Sequence, residues 1–271
     1  MIVARSVAEF LAHPLGHCVV GSTFVIWCAA PDLAGSIQWG TLDERCVREM
    51  LSVAEFVEHP DLASNGRVLM DCRAVERVDV DALLAFTTTA RTQLPSWSAR
   101  IERQVVILPG GLSGILLAGA LPSLAPTHFL RFVDTLDAAL HVLDHPGARA
   151  AHVAAEAAAT EARRDGVLLT RVRSALATML VGATIEQCAS ALNMSTRTLQ
   201  RELKRLGTSF SDELRRVRLA AAEDLLFGTE LKIDAIADRV GLGSASRMSA
   251  LLRREHNLTP AALRARGRTR T

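Results

Sequence analysis

The sequence predicts an α/β domain followed by an all-α domain, and three observations carry that reading. Branched, apolar strand-like segments alternate with amphipathic helical ones up to about residue 143. Beyond an alanine-rich stretch, a helix-turn-helix pattern occurs twice. Charge divides along the same line: 11 basic and 16 acidic residues fall in the first 150 positions, a net −5, and 20 basic and 13 acidic in the rest, a net +7. With 271 residues and 49% hydrophobic content, the chain can fill two cores.

In the first half, STFVIWC (22–28), RVLMDC (67–72) and QVVIL (104–108) read as strands, and SIQWG (36–40) as a shorter partner of the first. TLDERCVREMLSVAEFVEHP (41–60) and VDALLAFTTTARTQLP (80–95) read as amphipathic helices between them. FLRFVDTLDAALHVL (129–143) supplies a last strand and helix, which implies a sheet with helices packed upon it. PGGL (109–112) turns from a strand into a helix and carries no phosphate-loop pattern. DHPGARAAHVAAEAAATEARRDG (144–166) then changes composition abruptly: Pro146 and Gly147 break the preceding helix, and the alanine run favours helix while offering little to bury. The expected organisation is a domain over 1–145, a helical linker over 146–164 and a second domain over 165–271.

TIEQCASALNMSTRTLQRELKR (184–205) can be laid over KIDAIADRVGLGSASRMSALLRR (232–254) with one extra residue in the second turn. Ile185 then matches Ile233, Ala189 Ala237, Leu192 Val240, Leu199 Met248 and Leu203 Leu252. Thr184 with Gln187 makes a capping box, Ser195 caps the second helix of the first copy, and Gly207 ends it. Between the copies, SFSDELRRVRLAAAEDLLFG reads as one long helix capped by Ser209, with Leu214, Val217, Leu219, Ala221, Leu225 and Leu226 as its buried stripe.

The segments MSTRTLQRELKRLGTSF, RLAAAEDLL, IDAIADRVGL and HNLTPAALR, in that order over about 167–266, together resemble the DNA-binding domain of AraC-type transcription regulators. The resemblance implies a bi-lobed helical domain whose two recognition helices enter adjacent major-groove segments of double-stranded DNA. It assigns base contacts to Arg197, Gln200 and Arg201, with Ser246, Arg247 and Ser249 as the counterparts in the second motif. Phosphate contacts are expected from Thr196, Lys204, Arg205, Thr208, Ser209 and Arg253. Gln suits the two-bond pattern of adenine and Arg that of guanine. The chain departs from the family pattern at Lys232, where a capping Ser or Thr is usual, at Asn257 in place of glycine, and at Ala250, where an arginine is frequent.

VLMDCRAVERVDVDALLAFTTTAR, with the strand and helix at 129–143, resembles STAS domains, the fold of anti-sigma-factor antagonists, over about 20–143. In signalling members of that family a serine at the start of the second helix is phosphorylated. Asp81, preceded by Val80, stands at that position, so it reads as a helix cap or as a fixed negative charge in a regulatory surface.

Cys18, Cys28, Cys46, Cys72 and Cys188 have no C-x-x-C spacing and read as small buried residues of a reducing cytoplasm. Neither MIVARSVAEFLAHP nor GILLAGAL has the form of a leader or a membrane span. His13, His17, His128, His141, His145 and His152 form no spaced ligand set, so no metal, cofactor or catalytic constellation is expected. The expected function is a non-enzymatic, cytoplasmic, sequence-specific transcription regulator. Its first domain would receive a signal or a protein partner: RNA polymerase, another regulatory protein or a second copy of the chain. A partner-switching protein with weak DNA binding and a DNA alkyl-group repair protein are the alternatives; the last requires an activated thiolate.

Overall fold

A computed structural model of the protein describes residues 1–84, 86–88, 99–124 and 129–268, and divides into two compact units, Met1–Arg164 and Asp165–Thr271. In the first unit a seven-stranded sheet has its strands in sequence order: β1 (Ile2–Val3), β2 (His17–Val20), β3 (Phe24–Ala30), β4 (Leu33–Leu42), β5 (Gly66–Val78), β6 (Ile101–Ile107) and β7 (Phe129–Val133). Strands β2 to β4 form an antiparallel meander, β4 to β7 run parallel, and β1 adds parallel to β2. Parallel neighbours need helical crossovers. These are α2 (Glu44–Ala54), a helix seen at residues 80–84 and 86–88, and α3 (Gly111–Ala120); α1 (Val7–Ala12) precedes β2.

The sheet is covered on both faces, which is why its strands read as continuous apolar runs. Along β3 the side chains alternate: Phe24, Ile26 and Cys28 pack with Phe10 of α1, Cys46 and Val53 of α2 and Leu117 of α3. Val25 and Trp27 face the opposite core, which includes Ile37, Leu69, Val105 and Ile107. That second face is closed by α4 (Leu136–Leu143) and by the first half of α5 (Ala148–Ala177).

Three expectations need correction. The partner of β3 is not a short strand at 36–40 but the ten residues of β4. Its small residues concealed it: Gly35 lies under the Trp27 indole, and a Cβ there would come within 2.3 Å of both that ring and the Leu69 carbonyl oxygen. The alanine-rich run is not a linker with little to bury. Ala148, Ala155 and Ala159 have no exposed surface, and these small side chains let α5 settle closely on the sheet. Asp81 does not cap its helix. Asp79 does, accepting the Asp81 backbone N–H at 3.1 Å, because the helix begins one residue after it. Asp79→Ala should therefore cost about 1 kcal/mol, whereas exposed Asp81→Ala should cost only a few tenths. Equal losses in thermal unfolding of the two variants would contradict the assignment. Of the expected helix at 80–95, residues 85 and 89–95 lie outside the described residues, as does His128.

The second unit contains the C-terminal half of α5, then α6 (Ile185–Ala191), α7 (Thr196–Arg205), α8 (Phe210–Gly228), α9 (Ile233–Arg239), α10 (Ala245–His256) and α11 (Pro260–Arg268). It has two small cores. Cys188, Ala189, Leu192, Leu199 and Leu203 gather with Val172 and Leu176 of α5 and Leu214 of α8. Ile236, Ala237, Val240, Met248 and Leu252 gather with Ala222 and Leu226 of α8 and Leu263 of α11. The paired positions of the repeat thus occupy equivalent places in the two cores.

Candidate nucleic-acid interface

Local chemistry sets each helix of the two motifs. The Thr184 hydroxyl accepts the Gln187 N–H while the Gln187 side chain accepts the Thr184 N–H, closing the capping box of α6. Ser195 and Ser244 accept the N–H groups of Thr198 and Arg247 at the starts of α7 and α10. Lys232 offers α9 no side-chain cap, as its side chain has only donors. The tight turns take left-handed backbone at Asn193 (φ 56°) and Gly241 (φ 73°), and Asn257 (φ 55°) ends α10 in the same conformation.

At 3.6 residues per turn, Arg197, Gln200, Arg201 and Lys204 fall within about 100° of arc on α7, opposite the inward Leu199 and Leu203. All four are exposed, while Leu199 and Leu203 are buried. Arg201 leans toward Glu202 at 3.3 Å, but its side chain remains 72% exposed, a pairing that water screens. Thr196, at the start of the helix, is half-buried. On α10 the equivalent stripe is Ser246, Ser249, Ala250 and Arg253. Ser246, Ala250 and Arg253 are exposed and Ser249 is half-buried. Arg247 is exposed but sits about a quarter turn off that stripe. The two faces therefore differ in reach: three long donors and a glutamine on α7, one arginine on α10.

Three residues expected at phosphates have their donors engaged inside the protein. Arg205 pairs with Asp165 and with Glu202, fastening the end of α7 to α5. The Thr208 hydroxyl donates to Glu213 at 2.7 Å, and the Ser209 hydroxyl donates to Asp212 at 2.7 Å while capping α8. The polar anchor of the unit is Glu213, which has no exposed surface and accepts from Arg173 of α5, Arg216 and Thr208. Burial pushes its carboxyl pKa up, but the bonds from Arg173 and Thr208 outweigh that and hold it below its ordinary 4.5. Sequence reasoning passed over Glu213. The only signal was its place beside Leu214 on the apolar stripe of a helix otherwise amphipathic.

All five cysteines are buried, and burial pushes their thiols up, Cys28 and Cys72 to about 12. That is the reverse of the activated thiolate that alkyl transfer needs. Among the described residues, no helix is long and apolar enough to cross a membrane.

Comparison with known proteins places the likeness in this same unit. Residues 188–266 match a family described as a helix-turn-helix domain. The HTH-type transcriptional activator RhaS of Klebsiella pneumoniae (strain 342) is 38% identical over 80 residues, 29% of this chain and 29% of the relative; RhaS of Enterobacter sp. (strain 638) gives the same figures. The matched stretch thus spans under a third of the length of these relatives. Among solved structures, an AraC-type regulator from Chromobacterium violaceum is 27% identical, with 40% of this chain and 96% of the other covered and a TM-score of 0.36. The C-terminal unit carries a helix-turn-helix domain, and over that domain the chain is similar to the HTH-type transcriptional activators named RhaS.

Proposed function

We propose that the chain is a sequence-specific transcription regulator, and not an enzyme, that reads double-stranded DNA mainly through α7 and receives its signal through the first unit. The observation that carries the reading is the pair of helix-turn-helix motifs, each on its own core, with Arg197, Gln200, Arg201 and Lys204 on one open face. The helix between the motifs, α8, has 19 residues and spans about 28 Å, close to the roughly 34 Å between major-groove faces on one side of B-DNA. In this reading Gln200 and Arg201 discriminate bases, Arg197 joins them, and Lys204 and Arg253 hold phosphates. The RhaS relatives are named activators, and we extend activation, through contact with RNA polymerase or another regulatory protein, to this chain. We read the first unit as a STAS-like interaction module. Its contact surface would include exposed Asp81 with exposed Val80 and Leu84, which flank it on the same helix.

The test is selection of bound sequences from random duplex DNA with the intact protein. Arg201→Ala should relax the base preference in one half of the site by about 1–3 kcal/mol. Lys204→Ala or Arg253→Ala should weaken all sequences about equally and lower the salt slope by about 1. Strongest preferences lying under α10, or an unchanged preference in the Arg201 variant, would show the reading head to be wrongly assigned.

A further inference from the structure

A buried carboxylate stands among the apolar side chains on the face of the sheet covered by α5. Asp71 on β5 is 3% exposed and lies between Leu69 and Ile37, both buried. Across from it on α5, His152 is also 3% exposed, and its Nε2 stands 2.9 Å from Asp71 Oδ2. Glu156, one helical turn beyond His152, brings a second carboxylate to the same spot, and one donor atom from each of the three lies within 4.8 Å of the others. The alanines 148, 151, 155 and 159 of this half of α5 are buried in the same core, with Ala158 and Ala162 packed against it. A carboxylate placed in such surroundings needs a positive partner, because burial disfavours its charged form by several kcal/mol. Arg73, two residues along the same strand, fills that need: Nε donates to Oδ1 at 2.9 Å and one terminal nitrogen to Oδ2 at 2.6 Å. Burial works against the ionised carboxyl, but the bonds from His152 and Arg73 hold Asp71 well below the usual carboxylate range.

We propose that Asp71, His152 and Glu156 form a binding site for a divalent first-row metal ion of the zinc class, with Arg73 occupying the cation position when no metal is bound. Three features support this. One imidazole with two carboxylates is a donor set that Zn2+ takes, and i, i+4 spacing on a helix sends His152 and Glu156 to a common point. Two of the three donors are buried on separate elements that the core holds in place, so little ordering is left for the metal to impose. Arg73 keeps 44% of its side chain exposed, so it can swing into water as the ion enters, and Arg163 stays nearby, paired with Glu156 and lying over the Trp39 ring. Three protein donors leave one tetrahedral position open for water or a small ligand. This site lies in the first unit, and the inference stands independently of DNA binding by the second.

The full chain, stripped of metal by chelation, would be titrated with Zn2+ by calorimetry and with Co2+ by visible absorption. One equivalent should bind, with the d–d bands of a four-coordinate site. Glu156→Gln, at a half-buried position where folding is retained, should weaken binding by tenfold or more, and His152→Gln should abolish it. Arg73→Gln should tighten binding, since the competing cation is gone. Circular dichroism of each variant separates loss of the site from loss of the fold. Absence of stoichiometric binding by the wild-type chain overturns the proposal, whatever the Arg73 variant does. So does binding that folded His152→Gln and Glu156→Gln leave unchanged, because the ion would then sit elsewhere.

Discussion

Gly241→Ala should destabilise the C-terminal unit by about 3 kcal/mol or more, and Gly207→Ala by only about 1 kcal/mol. Both glycines have left-handed backbone, φ 73° and 68°, so both variants bear the penalty of a Cβ in that region. Around Gly207 there is space. A Cβ on Gly241 would instead stand 2.3 Å from the Leu180 carbonyl oxygen and 2.9 Å from the Arg218 guanidinium that donates to it. A backbone carbonyl cannot yield as a side chain can, so the turn of the second motif would have to move off the segment preceding the first. Thermal unfolding of the full chain checks the contrast. A midpoint drop on the order of 10 °C or more is expected for Gly241→Ala, and several degrees for Gly207→Ala. Equal drops would mean that backbone strain alone, and not the contact with Leu180, explains why a glycine stands at 241.

Removing the buried carboxylate is the second large change. Glu213→Ala should cost about 2–3 kcal/mol: each charge-assisted bond contributes roughly 1.5–3 kcal/mol, but Arg173 and Arg216 can turn to water once released. Glu213→Gln, which keeps the shape and loses the charge, should fall between. The effect depends on pH in a defined sense. With its pKa held below 4.5 in the folded state, Glu213 adds stability that is fully present above that value and is lost as pH falls through and below it. The acid limb of the stability curve should therefore be shallower in Glu213→Gln. Parallel limbs for wild type and variant would show that folding does not lower the pKa of Glu213.

The helical half was legible because its signals are local. Caps at Thr184, Ser195 and Ser209, left-handed positions at Gly207 and Asn257, and pairs such as Leu199 with Met248 are each read within a few residues of one another. The sheet was legible where β-branched residues cluster, as in β3, and concealed where packing demanded small ones, as at Ala34 and Gly35 of β4. The polar clusters were out of reach for a different reason. Asp71 and His152 are 81 residues apart, and Arg173 and Glu213 are 40 apart, so no spacing rule could join them. Arg205, Thr208 and Ser209 have the right chemistry for phosphate, and only the folded chain shows that their donors are already taken.

The division of labour around α7 bears on how such a protein changes over generations. Leu199 and Leu203 hold the helix in its core, while Arg197, Gln200, Arg201 and Lys204 touch neither core. On the proposed reading of α7, substitutions at those four positions would alter recognition while leaving the scaffold intact, and a library randomised there should remain folded in most members. If α7 reads DNA as proposed, a lineage carrying this domain can move from one target sequence to another through folded intermediates, without passing through a collapse of the domain that displays the new specificity.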